Sequence, residues 1–244
     1  MSIKGRIIVC RDYDDMSRRA AEFFAEYIRS TPSAVLGLAT GSTPVGTYKY
    51  LVDEYRAGKL DFSGITTFNL DEYYPMAPDH PQSYRYFMNT HLFDHVNINK
   101  ANTNVPDGLC ADPKAYCEEY DRRIAAAGGI DLQLLGVGKN GHIGFNEPAA
   151  SLIGGTHVAE LNEDTVVANS RFFDSIADVP RKAITMGIDA IMNAKKVVLL
   201  ASGKGKHNAI AALLSGVYTT EIPVTLLRAH SGLTVFCDEE AYNG

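Results

Sequence analysis

The sequence has no long run of apolar residues. None of its 244 residues lies in a stretch of about 18 consecutive apolar residues, the length that marks a membrane-spanning helix. The first residues, MSIKGRIIVCRDYDD, also lack the architecture of a signal peptide, because the apolar run is short and acidic residues follow it at once. These two absences predict a cytoplasmic protein without a membrane partner.

Cysteine is scarce, and the few residues present are scattered. No two of them form a C-x-x-C pair, and such spacing is not typical of a structural zinc site. Thiols stay reduced in the cytoplasm, and free cysteine is among the most buried residue types. We therefore predict buried, reduced thiols at Cys10, Cys110, Cys117 and Cys237.

An excess of basic residues is missing as well. The chain has 23 Lys and Arg against 29 Asp and Glu, a formal net charge of -6. A general nucleic-acid binder needs a basic face for the phosphates, so the charge argues against that class. A local basic pocket is still possible, because net charge says nothing about a single site.

What the sequence does contain is an alternation of short apolar runs and helical patterns. The apolar runs predict strands at 6–10, 34–39, 65–70, 130–136, 196–202 and 233–237. Helical patterns cover 16–30, 43–58, 81–93 and 111–129, and a further one ends near Leu214. Nearly continuous apolar strands are typical of a sheet that is covered on both faces. The pattern predicts an α/β fold with a doubly wound, mostly parallel, Rossmann-like sheet and helices on both faces, with residues 1–244 as a single domain.

In such a fold, ligands collect at the carboxyl ends of the strands. The loops that directly follow strands are therefore the most informative ones. Four of them have unusual sequences: ATGSTP (39–44), NLDEYY (69–74), GVGKNGHIGFNEP (136–148) and SGKGKH (202–207).

The third of these loops contains a literal G-x-G-x-x-G at residues 136–141. A dinucleotide-binding fingerprint needs a helix that starts at its third glycine, so that the pyrophosphate meets a helix N-terminus. Here HIGFNEP follows Gly141, and Gly144 and Pro148 leave little room for a helix. The motif therefore does not indicate a dinucleotide site.

The glycine-rich loop after the second strand is not a P-loop, because Thr47 stands where that motif requires lysine. The SGKGKH loop lacks a glycine five residues before either Gly-Lys pair. Hydroxyls at Ser42 and Thr43, beside a predicted helix N-terminus, could still bind a simpler phosphate. A helix start without a ligand, with Thr43 as N-cap and Pro44 in the first turn, explains these residues equally well.

Three ionisable residues in these loops are candidates for acid–base chemistry. Asp71 directly follows a predicted strand, although an isolated aspartate there is more often a loop or cap carboxylate. His142 and Glu147 lie five residues apart among glycines and could form an oriented acid–base pair. A lone loop histidine is commonly just a hydrogen-bonding residue. Because the loops share one edge of the sheet, the topology allows the three residues to converge.

Together, FNLDEYY, GVGKNGHIGFNEP, NSRFF and ATGSTP resemble the glucosamine-6-phosphate deaminase (isomerase) family along nearly the whole chain. The resemblance implies conversion of glucosamine 6-phosphate and water to fructose 6-phosphate and ammonia, in amino-sugar catabolism. The related 6-phosphogluconolactonases share the fold, but FNLDEY and GHIGFNEP resemble the deaminases. The sequence shows no recognisable site for a metal or an organic cofactor, and we expect neither.

The resemblance also assigns roles to individual residues. Asp71 matches the carboxylate that moves a proton between C2 and C1 through an enediol-type intermediate. His142 matches the base that opens the pyranose ring, and Glu147 matches the acid that supports it. The residues that match the family's phosphate site are Ser42, Thr43, Arg171 and Lys206.

Two departures from the family pattern stand out. Asn140 replaces an aspartate that some members have; it can orient His142 by hydrogen bonding but cannot form an ion pair with it. Allosteric hexameric members bind N-acetylglucosamine 6-phosphate through a serine and basic residues, where this chain has Ala150, His157 and Ala159, and they have a longer tail. The resemblance therefore predicts a short, non-allosteric type that is a monomer or a small homo-oligomer.

Two rival functions and one structural hypothesis remain open. A lactonase-type hydrolase would not need Asp71 to carry a proton between carbons. A non-catalytic sugar-phosphate sensor usually carries a DNA-binding domain, for which 244 residues of one α/β fold leave no room. The weakly periodic segment 151–179 could form a mobile lid over the site.

Overall fold

The computed structural model describes residues 3–170, 173 and 175–244. In chain order the strands are β1 (Arg6–Cys10), β2 (Val35–Leu38), β3 (Thr66–Asn69), β4 (Asp71–Tyr74), β5 (Thr103–Asn104), β6 (Leu132–Gly136), β7 (His157–Glu160), β8 (Lys182–Thr185), β9 (Lys196–Ala201) and β10 (Leu233–Asp238). The α-helices are α1 (Tyr13–Ser30), α2 (Val45–Arg56), α3 (Tyr84–His91), α4 (Pro113–Ala126), α5 (Glu163–Asn169), α6 (Ile188–Met192), α7 (His207–Leu214) and α8 (Glu239–Asn243).

Seven of these strands form one parallel sheet, in the order β1-β10-β9-β6-β2-β3-β5. The chain runs outward from β2 through β3 to β5 and then returns to place β6 on the other side of β2. The strand order therefore reverses between β2 and β6, which is where ligands bind in doubly wound folds. Strands β2 and β10 are buried along their whole length, as expected when both sheet faces are covered. The predicted α/β class with a mostly parallel sheet is confirmed.

The six predicted strands all form, each within two residues of its predicted bounds. Helix α4 ends as predicted at Gly128 and Gly129, whose φ angles of 89° and 81° favour glycine. The prediction of Thr43 as a helix cap is wrong. Helix α2 begins at Val45, with Pro44 at the capping position and no side chain capping it.

A second, antiparallel sheet was not predicted. It has the order β4-β8-β7, and it lies on a separate apolar cluster that includes Tyr73, Phe145 and Val166. The expectation that residues 69–74 form a loop is wrong for 71–74, because Leu70 is the single residue between β3 and β4. Strand β4 pairs with β8, where Asp71 faces Thr185. A partner so distant in sequence leaves no local pattern to read.

All four cysteines are free thiols; Cys10, Cys117 and Cys237 are buried, as predicted, and Cys110 is half-buried. Within the described residues, no helix is both long enough and apolar enough to cross a membrane.

Candidate active site

The four unusual loops all lie at one edge of the large sheet. They follow β2, β3, β6 and β9, which are neighbours in the order β9-β6-β2-β3. Since these strands are parallel, their carboxyl ends share one edge. The loop after β6 lies at the point where the strand order reverses, so it borders the expected ligand crevice.

Asp71 is buried at this edge. It is the first residue of β4, and only 6% of its surface is exposed. Burial, with a smaller contribution from the charge of Glu72, raises the pKa of Asp71 to about 8. A Cβ atom at Gly144 would lie 3.6 Å from the Asp71 Oδ2 atom. The loop that carries His142 and Glu147 therefore passes directly beside this carboxylate.

Glu72, the neighbouring acid, points to other partners. Its carboxylate accepts hydrogen bonds from the backbone N–H groups of Tyr73, Tyr84 and Arg85 at 2.9–3.0 Å. It thereby holds the start of α3 against β4. Burial raises the pKa of Glu72 to about 7, although these three N–H groups oppose the rise. Glu72 supports the site structurally and adds negative charge next to Asp71.

His142 and Glu147 form a pair at the crevice. The Nδ1 atom of His142 lies 3.3 Å from Oε2 of Glu147, and both side chains are largely buried. Asn140 links them: its Nδ2 donates to Glu147 Oε2 at 2.9 Å, and its Oδ1 accepts from the His142 backbone N–H at 3.1 Å. Asn140 thus acts on His142 through the backbone and through Glu147.

Glu147 has two further partners that the sequence reasoning missed. Thr165 donates its hydroxyl to Glu147 Oε1 at 2.6 Å, and Asn162 donates its Nδ2 to Oε2 at 2.9 Å. Burial alone would raise the pKa of Glu147, but His142, Thr165 and Asn140 outweigh it and lower the pKa to about 2. The only sequence signal for Asn162 and Thr165 was the start of a short helix inside a weakly periodic segment.

The glycines of the G-x-G-x-x-G stretch have a different use from nucleotide binding. No helix follows Gly141 within residues 142–156, all of which the structure describes. A Cβ at Gly138 would lie 2.4 Å from Cε1 and 2.5 Å from Nδ1 of His142. The imidazole ring of His142 therefore packs directly against Gly138. At Gly141, φ is 86°, a conformation that favours glycine.

A methyl group at Gly138 should disturb the packing of the His142 ring. We expect Gly138→Ala to push the His142 ring away from Glu147 and to lower turnover on the order of 10-fold to 100-fold, since a 1 Å misplacement can cost about 10²-fold. Gly136→Ala is the matched control from the same motif, because a Cβ there meets nothing within 4 Å. Steady-state rates of the two variants test this, and equal rates would contradict it.

The candidate phosphate loop is held by a tyrosine. The hydroxyl of Tyr13, on α1, donates to the backbone carbonyl of Ser42 at 3.0 Å and accepts from the Gly46 N–H at 2.9 Å. Ser42 is exposed and Thr43 is half-buried, so solvent reaches both residues. Tyr13 bridges the two ends of this turn and so fixes its shape.

Removing that bridge should weaken phosphate binding more than chemistry. We expect Tyr13→Phe to raise KM about 2-fold to 10-fold with little change in kcat, because one neutral hydrogen bond contributes about 0.5–1.5 kcal/mol. Tyr50→Phe is the control, since that hydroxyl joins the same two helices through Asp14 at 2.8 Å. If both variants have the same KM, Tyr13 has no such role.

Lys206 lies close to the loop after β6. It ends a short 3-10 turn, Lys204–Lys206, just before α7, and its Nζ donates to the Val137 carbonyl at 2.6 Å. This contact places a cation between the loops after β6 and β9. Arg171, the other predicted phosphate cation, lies outside the described residues. Within the part of the chain that is described, no group of three or more His, Cys, Asp or Glu side chains could hold a metal ion.

The fold and the site together define a class. A parallel α/β sheet whose ligand edge carries a buried carboxylate and a histidine–carboxylate pair is an enzyme architecture with groups suited to acid–base catalysis. The family model described as "Glucosamine-6-phosphate isomerases/6-phosphogluconolactonase" matches residues 11–236. The chain belongs to this family.

Individual relatives narrow the comparison within the family. A glucosamine-6-phosphate deaminase of Clostridium perfringens (strain 13 / Type A) is 57% identical over 236 residues, which cover 97% of this chain and 98% of the relative. The deaminase of Thermoanaerobacter sp. (strain X514) is 52% identical, with coverage of 97% and 93%. The predicted resemblance to the deaminases is confirmed.

Solved structures agree with this assignment. A monomeric glucosamine-6-phosphate deaminase matches the fold with a TM-score of 0.95 at 44% identity, over 98% of this chain and 99% of that chain. A 6-phosphogluconolactonase from Trypanosoma brucei matches with a TM-score of 0.78 at 21% identity, over 99% of each chain. At that identity the second comparison shows a shared fold alone.

Proposed function

We propose that the protein converts glucosamine 6-phosphate and water to fructose 6-phosphate and ammonia. The observation that carries this proposal is the approach of the Gly144 segment to Asp71, which brings a buried carboxylate beside the loop that contains the His142–Glu147 pair. The deaminases at 52–57% identity support it. A lactonase needs one activated water and no second carboxylate for transfer of a proton between carbons.

Ring opening is the first step. The proton on the O1 hydroxyl must leave and O5 must gain one, so a single group that both accepts and donates a proton serves best. Histidine has an intrinsic pKa suited to that task near neutral pH. The contact between Nδ1 and Glu147 favours a proton on Nδ1, which leaves Nε2 free as the base. We assign this step to His142, oriented by Glu147 and Asn140.

Isomerisation follows on the open chain. Asp71, as a carboxylate, removes the proton from C2, the carbon that bears the amine, and returns it to C1 on the same face. The carbonyl oxygen on C1 gains a proton as the amine loses one, so C1 now bears a hydroxyl and the double bond lies between C2 and nitrogen. Water then adds to C2, and the C–N bond breaks to release ammonia and leave the C2 ketone. Burial of Asp71 (6% exposed) raises its proton affinity toward that needed for a general base near neutral pH.

The phosphate is the remote part of the substrate that fixes its position. Ser42 and Thr43 at the turn before α2, together with Lys206 and Arg171, are the proposed phosphate ligands. Binding energy at this end of the sugar holds C1 and C2 over Asp71. No metal or organic cofactor is part of this proposal.

An ammonia-release assay tests the function directly. We expect purified protein to release one ammonia per fructose 6-phosphate formed from glucosamine 6-phosphate. The matched second substrate is 6-phosphogluconolactone, whose hydrolysis should not exceed the spontaneous rate. Lactone hydrolysis without ammonia release would favour the hydrolase alternative and refute the deaminase. Binding of glucosamine 6-phosphate with neither reaction would favour the sensor.

Regulation and assembly follow from the same proposal. We propose a cytoplasmic monomer or small homo-oligomer built from a single domain, supported by four free thiols and by the match to a monomeric deaminase. His157 and Ala159, on β7, stand where allosteric members have basic residues.

The expected result is hyperbolic kinetics with no activation by N-acetylglucosamine 6-phosphate. Ala150, His157 and Ala159 offer no cationic or hydroxyl pair for its phosphate, so the ligand has no second site that would shift an equilibrium. Initial rates against substrate concentration, with and without this compound, measure the effect. Sigmoidal curves that become hyperbolic when it is added would contradict the prediction.

A further inference from the structure

The carboxylate of Glu147 is bound on both oxygens by side chains. Oε1 accepts from the Thr165 hydroxyl at 2.6 Å. Oε2 accepts from the amide groups of Asn140 and Asn162, each at 2.9 Å, and lies 3.3 Å from His142 Nδ1. The Thr165 hydroxyl and the two amide groups all donate toward Glu147, and only an ionised carboxylate accepts from all three at once. Two of the donors, Asn162 and Thr165, come from outside the loop that contains the catalytic pair.

Asn162 is held with both ends of its amide in use. It is the N-cap of α5, and its Oδ1 accepts from the Thr165 backbone N–H at 2.8 Å. Because the amide oxygen is committed to the helix, the NH₂ group must face Glu147. The capping hydrogen bond therefore also orients the side-chain amide, so that its NH₂ group faces the Glu147 carboxylate.

Thr165, in the first turn of α5, binds the other oxygen of the Glu147 carboxylate. It is 7% exposed, and its hydroxyl is the hydrogen-bond donor to Oε1 within the described structure. With Oε1 fixed by Thr165 and Oε2 fixed by the two amides, the carboxylate plane cannot rotate. The plane of the carboxylate decides whether Oε2 stays against the imidazole.

We propose that Asn162 and Thr165 are positioning residues, which hold the Glu147 carboxylate ionised and in plane against the His142 ring. The inference rests on the proposed function and deepens it, since it adds two residues that act on the ring-opening base through Glu147. A carboxylate so held keeps the proton on Nδ1 of His142 and directs Nε2 toward the substrate. Helix α5 is then a part of the catalytic apparatus.

Loss of the Thr165 hydroxyl should act on turnover rather than on substrate binding. Thr165→Val keeps the shape of the side chain but leaves Oε1 without its donor, so the carboxylate can rotate and is more easily protonated. We expect kcat to fall on the order of 10-fold, with KM within about 2-fold of wild type. The titration midpoint of the Glu147 carboxyl should move to higher pH, because Glu147 loses a donor to its ionised form.

Three further variants separate positioning from simple stability. Thr165→Ser restores the hydroxyl and should recover most of the activity. Asn162→Asp keeps the cap oxygen but replaces the donor toward Glu147 by an acceptor, so it should lower kcat as Thr165→Val does. Thr156→Val is the structural control, because that buried threonine donates to Asp121 at 2.5 Å; it should lower thermal stability without moving the titration midpoint of Glu147.

A titration of the Glu147 carboxyl by ¹³C NMR gives a readout without turnover. The midpoint should be higher in Thr165→Val and in Asn162→Asp than in wild type, where the pKa is lowered to about 2, and Thr165→Ser should lie close to wild type. Equal midpoints in wild type and both variants would overturn the inference. If wild type releases no ammonia from glucosamine 6-phosphate, the proposed function fails, whereas the carboxyl titration still decides whether the two residues hold Glu147.

Discussion

Asp71→Asn should reduce the rate of deamination of glucosamine 6-phosphate on the order of 10²-fold to 10⁴-fold, which is the contribution of a positioned general base. The amide has the same shape as the carboxylate but cannot accept the C2 proton. Asp71 lies at the ligand edge beside Gly144, whereas the phosphate is proposed to bind at the Ser42 turn. Substrate affinity should therefore remain within a few-fold of wild type.

Two measurements make this prediction specific. Exchange of the C2 proton with solvent, followed by NMR in D₂O, should be lost in Asp71→Asn along with ammonia release. Affinity for the reduced, open-chain amino-alditol 6-phosphate should persist in calorimetry. A variant that keeps more than about a tenth of the wild-type rate would remove Asp71 from the mechanism, since a lost general base costs at least about 10²-fold.

The pH dependence of the wild-type enzyme follows from the same residue. Burial raises the pKa of Asp71 to about 8, and the base acts only when it is ionised. At pH 7, about a tenth of the free enzyme then has the carboxylate form. We expect kcat/KM to rise with pH and to level off above about pH 8, because this parameter reports the free enzyme. A plateau that already begins near pH 5 would mean that Asp71 is not the base or that its pKa is not raised.

His142→Gln should cause the second large loss, again on the order of 10²-fold to 10⁴-fold. Glutamine can form hydrogen bonds in the place of the imidazole, but it cannot take up and return a proton. The ring of the sugar must then open without a base. The expected defect is in the step before isomerisation, so Asp71 remains competent in this variant.

A kinetic isotope effect distinguishes that step. Substrate deuterated at C2 should show a primary effect in wild type if breakage of the C2–H bond limits the rate in part. In His142→Gln the effect should shrink toward 1, because ring opening becomes limiting. His157→Gln is the matched control: it lies on β7, where its ring contacts the Gly155 carbonyl at 2.9 Å. An isotope effect that grows in His142→Gln would place His142 in the isomerisation step.

The local sequence predicted much of the fold. Six strands and five helices were readable because their apolar periodicity and their end signals, such as Gly128 and Gly129 after α4, lie within a few consecutive residues. The edge that bears the site also followed, since ligands in doubly wound folds bind beyond the carboxyl ends of strands. Motif resemblance then indicated which of the residues there carry chemistry.

Only the tertiary structure decided how those residues meet. Asp71 is buried because β4 pairs with β8, a partner more than a hundred positions away, and no local pattern encodes that burial or the raised pKa that it causes. Likewise, Tyr13 reaches the Ser42 turn, and Thr165 reaches Glu147, across gaps in sequence that only the folded chain closes. The sequence by itself determined the fold class, the family and the chemical groups. The proton affinities and orientations of those groups depend on burial and on contacts between distant segments, which exist only in the folded protein.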